Sequence, residues 1–228
     1  RLASIRLEHL LTMSPGFDCD DSNGDSPGAE DAMQEQRREP NWWRFALAVP
    51  MARDPGVQAV YCSMNPNLMG AVLSHETGRW LPDLFAERVA TPLQINHYFL
   101  NLTPTNDWYL GGGAQFRLRD FMKMGQLVLN GGTWNGRRVL DHAYVERMTA
   151  PLVELQQRRY GYYWWSQEMP YRDRQVRVIY AAGNGGQIVM AVPELDLVIA
   201  FYSGDFGHAA ALTAQRVYVP QYILPAVN

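Results

Sequence analysis

The sequence has few cysteines, little net charge and no long apolar run, and each absence narrows what the chain can be. Two cysteines among 228 residues are too few for a disulfide scaffold. A formal net charge of −3 gives no electrostatic reason to expect a nucleic acid or an anionic membrane as a partner. No apolar run reaches the ~18–20 residues of a transmembrane helix. We therefore expect no nucleic acid, no membrane segment, and free thiols as in a reducing compartment, with Cys62 acting as a small apolar residue of the core.

The composition favours a folded, globular chain. Hydrophobic residues make up 47% of the sequence and charged residues 19%, which is enough apolar material for a core and excludes global disorder. At roughly 100–200 residues per domain, the length suits one large or two small domains. The chain begins with Arg1 and not with Met, so we expect a processed chain, an expressed segment or a truncated reading frame. Cytoplasm and periplasm both stay open as its compartment.

The first forty residues combine a short helix with an acidic segment. Residues 4–12 have the apolar spacing of a helix that Ser4 can cap. Residues 14–40 are polar and contain three prolines, which predicts a surface loop and not a linker. Their carboxylates suggest a Ca²⁺ loop, but Ser26 stands where such a loop requires glycine. We therefore predict a solvated loop and no metal.

Helices come first along the chain, and strands follow. Further helices are predicted after Asn65, over residues 118–129 before a glycine pair, and after Asp141. Strand patterns follow from residue 160, with a hairpin turn at residues 193–196. This order predicts an α+β fold, with a mostly helical part at 1–150 that includes the acidic loop. Residues 151–228 would form an antiparallel sheet with a C-terminal helix, and the two parts together a single domain.

A tyrosine motif at residues 61–63 is the most informative feature of the sequence. Tyr61, Cys62 and Ser63 stand directly before an apolar helical pattern, with Asn65 suited to the N-cap and Gly78 to the stop. A turn at this place can present a side chain at the mouth of a cleft, because the helix behind it fixes the backbone.

With this motif, the chain resembles the serine β-lactamase/penicillin-binding-protein superfamily. The nearest branch holds class C β-lactamases, related esterases and 6-aminohexanoate-dimer hydrolases. Tyr61 and Ser63 match the Tyr-x-Asn/Ser motif, and the resemblance extends over nearly the whole chain. The other matching segments, in chain order, are residues 10–16, 112–113, 119–121, 125–126, 160–165, 183–187 and 193–196.

The resemblance also implies a nucleophile that these residues do not contain. The nucleophilic serine belongs to a Ser-x-x-Lys motif. No serine here is followed by lysine at the third position, and the only lysine is Lys123. We therefore expect the first strands and the nucleophile helix to lie before Arg1. The chain would then be the C-terminal portion of a β-lactamase-like domain, and inactive alone.

The resemblance assigns roles to the two motif side chains. Tyr61 would be the proton carrier. A free phenol has a pKa near ~10, so it acts as a base only beside a cation or a lysine that shares the proton. Ser63 would bind a substrate amide or orient that lysine. The alternatives are that Tyr61 packs under the helix and that Ser63 caps it.

A third segment should line the substrate from the sheet. The resemblance places substrate-binding and oxyanion groups at Tyr180, Ala182, Gly183 and Asn184, with the backbone N–H of Ala182 or Gly183 as an oxyanion donor. The glycines could alternatively serve close packing. No lysine or histidine occurs at residues 180–183, which argues against recognition of a β-lactam carboxylate.

Taken together, the resemblance implies a serine hydrolase that cleaves a small ester or amide through an acyl-enzyme. It implies no metal and no organic cofactor, and Tyr61 should face the strand at residues 182–187 across a cleft. The partners would be the substrate and the missing N-terminal part of the same domain. The alternatives are a relative without a nucleophile that binds a peptide or small ligand, and an inactive piece of a truncated gene.

Overall fold

Helices dominate the first half of the chain and strands the second in the computed structural model, which describes residues 1–228. The main helices are α1 (Leu7–Leu11), α2 (Glu30–Glu35), α3 (Trp42–Ala48), α4 (Met64–Thr77), α5 (Leu81–Phe85), α6 (Leu118–Leu129) and α7 (His142–Thr149), followed by a π-helical segment (Ala214–Ile223) and α8 (Leu224–Ala226). The strands are β1 (Tyr98–Phe99), β2 (Gln115–Phe116), β3 (Thr133–Trp134), β4 (Arg137–Arg138), β5 (Val153–Leu155), β6 (Arg158–Tyr160), β7 (Trp165–Tyr171), β8 (Arg174–Gly183), β9 (Gln187–Val192) and β10 (Leu197–Phe201). This order confirms the predicted α+β class.

The chain divides into two compact units. Residues 1–115 and 152–157 form the first unit, and residues 116–151 and 158–228 form the second. The core of the first unit includes apolar side chains of α1, α3 and α4, among them Leu10, Trp42 and Leu68. Tyr109 joins that core with its ring edge-on to Trp42.

Helix α4 starts close to its predicted position and ends where predicted. Its first residue is Met64, so Ser63 and not Asn65 stands at the N-cap, and the Ser63 side chain makes no capping bond. Asn65 is buried in the first turn. Gly78 ends the helix in the left-handed region at φ 62°, a conformation that glycine adopts without steric cost.

The acidic segment at residues 14–40 is less exposed than its composition predicts. It contains helix α2, and Phe17, Cys19 and Met33 are core residues of the first unit. Polar residues mask a few apolar anchors here, and an average over the segment does not detect them. The prediction of a solvated surface loop is therefore wrong for much of its length.

Five strands form an antiparallel sheet within the second unit. Their order is β10-β9-β8-β7-β6. The predicted hairpin is confirmed, because Leu197 pairs with Val192 around a turn at Pro193–Leu195. Helix α6 packs on β9 and β10. A Cβ atom at Gly125 would lie 2.6 Å from Val189 Cγ2, so glycine permits this close approach of helix and sheet.

Two further helix boundaries follow the sequence signals. Asp141 caps α7 by accepting hydrogen bonds from the backbone N–H groups of Ala143 and Tyr144. Gly131 and Gly132 follow α6 with positive φ angles. No helix of the structure has the length and hydropathy needed to cross a membrane.

Candidate functional site

The tyrosine motif lies in the first unit, in the turn that leads into α4. Tyr61 is partly buried, whereas Cys62 and Ser63 are 1% and 4% exposed. The buried side chains of Cys62 and Ser63 therefore anchor the turn, and Tyr61 is the most accessible residue of the motif.

Asp21 holds this turn from the acidic segment. Its backbone N–H donates to the Tyr61 carbonyl at 3.0 Å. Its carboxylate oxygen Oδ2 accepts from both the backbone N–H and the hydroxyl of Ser63, each at 2.7 Å. The other oxygen, Oδ1, accepts from the backbone N–H of Glu30 at 2.9 Å. Asp21 thus links the motif to the start of α2, so the acidic segment is part of the candidate site.

A disulfide bond makes the same connection covalently. Cys19 and Cys62 are joined, with their Cα atoms 5.8 Å apart, and no free cysteine remains. The expectation of free thiols is therefore wrong, although Cys62 does lie in the core as predicted. The two residues are 43 positions apart, and a single sequence does not show that such residues meet in space.

A second carboxylate pairs with a buried tyrosine near the motif. The Tyr109 hydroxyl donates to Glu30 Oε1 at 2.5 Å, and Tyr109 is 1% exposed. Burial raises the pKa of Tyr109, and the hydrogen bond to Glu30 raises it further. Gly111 makes room for this tyrosine, because a Cβ there would overlap the Tyr109 ring and hydroxyl. Sequence reasoning did not identify Asp21, Glu30 or Tyr109 as site residues.

The surroundings of Tyr61 favour the protonated phenol. Burial raises the pKa of Tyr61, and the negative charges of Asp21 and Glu30 add to the increase. The phenol of Tyr61 is therefore protonated at neutral pH and can donate a hydrogen bond. It could accept a proton only if a neighbouring cation offset these carboxylates.

One group of side chains has the composition of a metal site. The ligand atoms of Cys19, Asp21 and Cys62 lie within 4.8 Å of one another. Both sulfurs are joined in the disulfide, however, and both oxygens of Asp21 accept hydrogen bonds from the protein. In the oxidised state these residues therefore offer no ready ligand set for a metal.

The predicted substrate-lining residues lie at the end of β8 in the second unit. Tyr180 is buried, and its ring stacks on Trp165. Ala182, Gly183 and Asn184 are exposed. Strand β7 pairs with β8 only as far as Tyr180, whereas β9 pairs with Ala182 and Gly183. One edge of the strand end is thus left without a partner from β7, and the oxyanion role of Ala182 or Gly183 stays a prediction.

Asn184 and the glycines after it form the turn between β8 and β9. Gly185 and Gly186 have φ angles of 93° and 91°. A Cβ at Gly185 would lie 2.7 Å from the Phe206 ring, so close packing is one role of this glycine. The side chain of Asn184 accepts from the backbone N–H of Gly207 at 3.4 Å. The predicted binding role of Asn184 stays a prediction.

Comparisons with known proteins agree with this architecture. The sequence profile of the beta-lactamase family matches residues 2–219. A protein from Bacillus anthracis assigned as a 6-aminohexanoate-dimer hydrolase has a TM-score of 0.71 and 18% identity, covering 91% of this chain and 57% of that one. A penicillin-binding protein from Bacillus halodurans has a TM-score of 0.69 and 17% identity, covering 94% and 72%. A D-amino acid amidase from Ochrobactrum anthropi SV3 has a TM-score of 0.65 and 16% identity, covering 93% and 76%. No curated protein sequence matches the chain.

These similarities define the class and then the family. At such low identity the solved structures show a shared fold, which is β-lactamase-like. The profile covers nearly all 228 residues, and the chain therefore belongs to the beta-lactamase family, whose members are hydrolases of this fold. It spans 57% of the length of the Bacillus anthracis protein.

The Glu30 carboxyl should make stability depend on pH. Burial raises its pKa above the ordinary 4.5, more than the hydrogen bond from Tyr109 lowers it. Folding therefore favours the neutral carboxyl of Glu30 more than the unfolded chain does. The contribution of Glu30 to the free energy of unfolding is complete at pH values below its pKa in the unfolded chain. It is lost as pH rises through the pKa of Glu30 in the folded protein. We expect Glu30→Gln, which keeps an acceptor for Tyr109, to gain melting temperature relative to wild type as pH rises.

Thermal melts from about pH 4 to about pH 7 test this expectation. Glu35→Gln is the control, because it makes the same change at an exposed position of the same helix. Parallel melting curves for wild type and Glu30→Gln across this range would contradict it.

Proposed function

We propose that this chain belongs to a serine hydrolase that cleaves a small ester or amide through an acyl-enzyme, with Tyr61 as the proton carrier. The observation that carries the proposal is the Tyr61–Ser63 turn, fixed before α4 by two hydrogen bonds from Ser63 to a carboxylate and by a disulfide. Rigid placement of this kind is what an acid–base group needs, since proton transfer requires hydrogen-bond contact with the reacting atoms. Family membership supports hydrolysis as the reaction.

The reaction would follow the usual course of serine acyl transfer. A serine hydroxyl attacks the substrate carbonyl and loses its proton, the tetrahedral oxyanion is held by backbone N–H groups, and the leaving group departs with a proton. Tyr61 would pass that proton from the nucleophile to the leaving group. Because Asp21 and Glu30 disfavour the phenolate, the mechanism requires a cation beside Tyr61, the role that a Ser-x-x-Lys lysine would fill.

The charges near the motif favour substrates without an anionic group. Asp21 hydrogen-bonds Ser63 directly, and Glu30 lies next to Asp21 through its backbone. Neither lysine nor histidine occurs at residues 180–187, the predicted substrate-lining segment. One structural neighbour is named as a D-amino acid amidase, which supports an amide as one possible substrate class.

One observation favours a second candidate. The 228 residues contain no Ser-x-x-Lys motif, and a family relative without a nucleophile would bind a peptide or small ligand and leave it intact. Labelling with a fluorophosphonate probe separates the two functions, because the probe reacts covalently with an activated serine.

The labelling experiment compares residues 1–228 with a chain extended by the sequence encoded upstream of Arg1. We expect no labelled serine within residues 1–228, and labelling of the extended chain at the serine of a Ser-x-x-Lys motif. An extended chain that contains no such motif and takes up no label would favour the binding protein. Labelling of Ser63 or any other serine of residues 1–228 would contradict the proposed mechanism.

A further inference from the structure

We propose that Asp21 is a positioning residue for the Tyr61–Ser63 motif, and that it fixes the Ser63 hydroxyl as a hydrogen-bond acceptor toward the bound substrate or lysine. The second half of this inference rests on the proposed function. Asp21 lies forty residues before the motif, in a segment whose composition predicts a solvated loop, and no pattern in the sequence connects the two.

The contacts of Asp21 reach both ends of the motif. Its backbone N–H binds the Tyr61 carbonyl, and its carboxylate binds the Ser63 backbone N–H, at 3.0 Å and 2.7 Å. The residue between them, Cys62, is tied to Cys19, two positions before Asp21. Each residue of the motif thus has its own bond to residues 19–21. The backbone at Tyr61 is therefore held from outside the turn, which fixes the direction of its Cα–Cβ bond.

The carboxylate also decides how Ser63 can bond. A serine hydroxyl has one proton to donate and two lone pairs to accept with. The Ser63 hydroxyl donates its proton to Asp21 Oδ2, and the two oxygen atoms are 2.7 Å apart. A charged acceptor makes this hydrogen bond stronger than a neutral acceptor would. The Tyr109 hydroxyl is also a hydrogen-bond partner of Ser63, so what Ser63 can offer a substrate or a lysine is an acceptor site that Tyr109 does not use. Ser63 therefore suits an ammonium or an amide N–H, and not a substrate carbonyl oxygen.

Asp21 has a structural role too, and the test must separate the two. Its Oδ1 accepts from the Glu30 backbone N–H at the start of α2, so any replacement also affects that helix. Asp21→Asn keeps the size of the side chain but leaves one oxygen to serve the Glu30 and Ser63 donors. Asp25→Asn is the matched control, because it makes the same charge change at an exposed position of the same segment.

The first measurement needs no enzymatic activity. An amide proton that bonds a carboxylate resonates downfield, so the Ser63 amide in a ¹H–¹⁵N spectrum of residues 1–228 reports the bond to Asp21. We expect this resonance to move upfield in Asp21→Asn and to stay in place in Asp25→Asn. A Ser63 amide that is unchanged in Asp21→Asn would overturn the proposed contact.

The second measurement uses the chain extended through an upstream Ser-x-x-Lys motif. Misplacement of a catalytic group costs on the order of 10²-fold, so we expect kcat of Asp21→Asn to fall by about that factor with little change in KM. Asp25→Asn should match wild type. On a logarithmic scale, the double variant should lose less kcat than the sum of the losses of Asp21→Asn and Ser63→Ala. Both substitutions act through one hydrogen bond, so their effects should not be additive.

Each outcome decides one of the two proposals. Activity that survives Asp21→Asn, or losses that add fully, would overturn the positioning role and leave the proposed function intact. An extended chain without activity, whose Ser63 resonance still moves only in Asp21→Asn, would overturn the proposed function and with it the role toward substrate. If Asp21→Asn does not fold, Ser63→Ala tests the hydroxyl alone, since it keeps the backbone bond; full kcat in that variant would overturn the acceptor role.

Discussion

Replacement of Tyr61 by phenylalanine should lower kcat of the extended, active chain by about 10²–10⁴-fold, the usual contribution of general acid–base assistance. The substitution keeps the ring, and hence most of its packing, and removes the group that carries the proton. The folded state should lose little, because one intramolecular hydrogen bond contributes only about 0.5–1.5 kcal/mol to the free energy of unfolding. Steady-state kinetics and thermal melts of the same preparation measure both quantities.

Two companion variants make the result specific to Tyr61. Tyr222→Phe removes a phenol hydroxyl at a position that is 66% exposed, and its kcat should match wild type. Ser63→Ala should reduce kcat less than Tyr61→Phe, since water can replace part of the hydrogen bonding of Ser63. Full activity of Tyr61→Phe together with a much lower melting temperature would make Tyr61 a structural residue.

The sequence predicted the elements well where local chemistry decides them. Gly78 ends α4 in the left-handed conformation, and Asp141 caps α7 with its side chain. The hairpin around residues 193–196 formed as predicted, with Leu197 paired with Val192. Each of these features depends on residues within one turn of each other, so the signal is contained in a short stretch of sequence.

The candidate site was predictable only in part, because half of its residues come from a distant segment. The motif at Tyr61 and Ser63 consists of neighbouring residues, so it could be identified from the sequence. Asp21 and Glu30 are not local, since their bonds to the motif and to Tyr109 span 42 and 79 positions. The two cysteines carried the missing signal: a bond between Cys19 and Cys62 places Asp21 beside Tyr61 and Ser63 at once. The expectation of free thiols removed that constraint.

Loss of the Cys19–Cys62 bond should destabilise the protein substantially. The two residues are 43 positions apart, and a cross-link that closes a loop of this length stabilises the folded state by about 4 kcal/mol in the chain-entropy model. The bond restricts the unfolded chain, so its loss acts on the free energy of unfolding even where the folded structure is unchanged. Denaturant titration of residues 1–228 with and without a reducing agent measures the effect.

The double variant Cys19→Ala/Cys62→Ala separates the bond from the packing of the sulfurs. Alanine suits these positions better than serine, because both residues are at least 96% buried and a serine hydroxyl would need a partner there. The reduced wild type loses only the cross-link, whereas the double variant also loses two buried sulfur atoms. We expect the variant to be insensitive to reducing agent and somewhat less stable than reduced wild type.

Thiol counting determines whether this account of the cysteines holds. Alkylation of the unfolded, unreduced protein should modify neither cysteine, and reduction should make both reactive. If both cysteines react without reduction, the original expectation of free thiols is correct, and the motif is held by Asp21 alone. In that case a reducing agent should leave the denaturation midpoint unchanged, because no cross-link restricts the unfolded chain. If the bond is present, reduction should lower the midpoint at constant slope. The covalent link between the Tyr61–Ser63 motif and the acidic segment would then exist only in the oxidised protein.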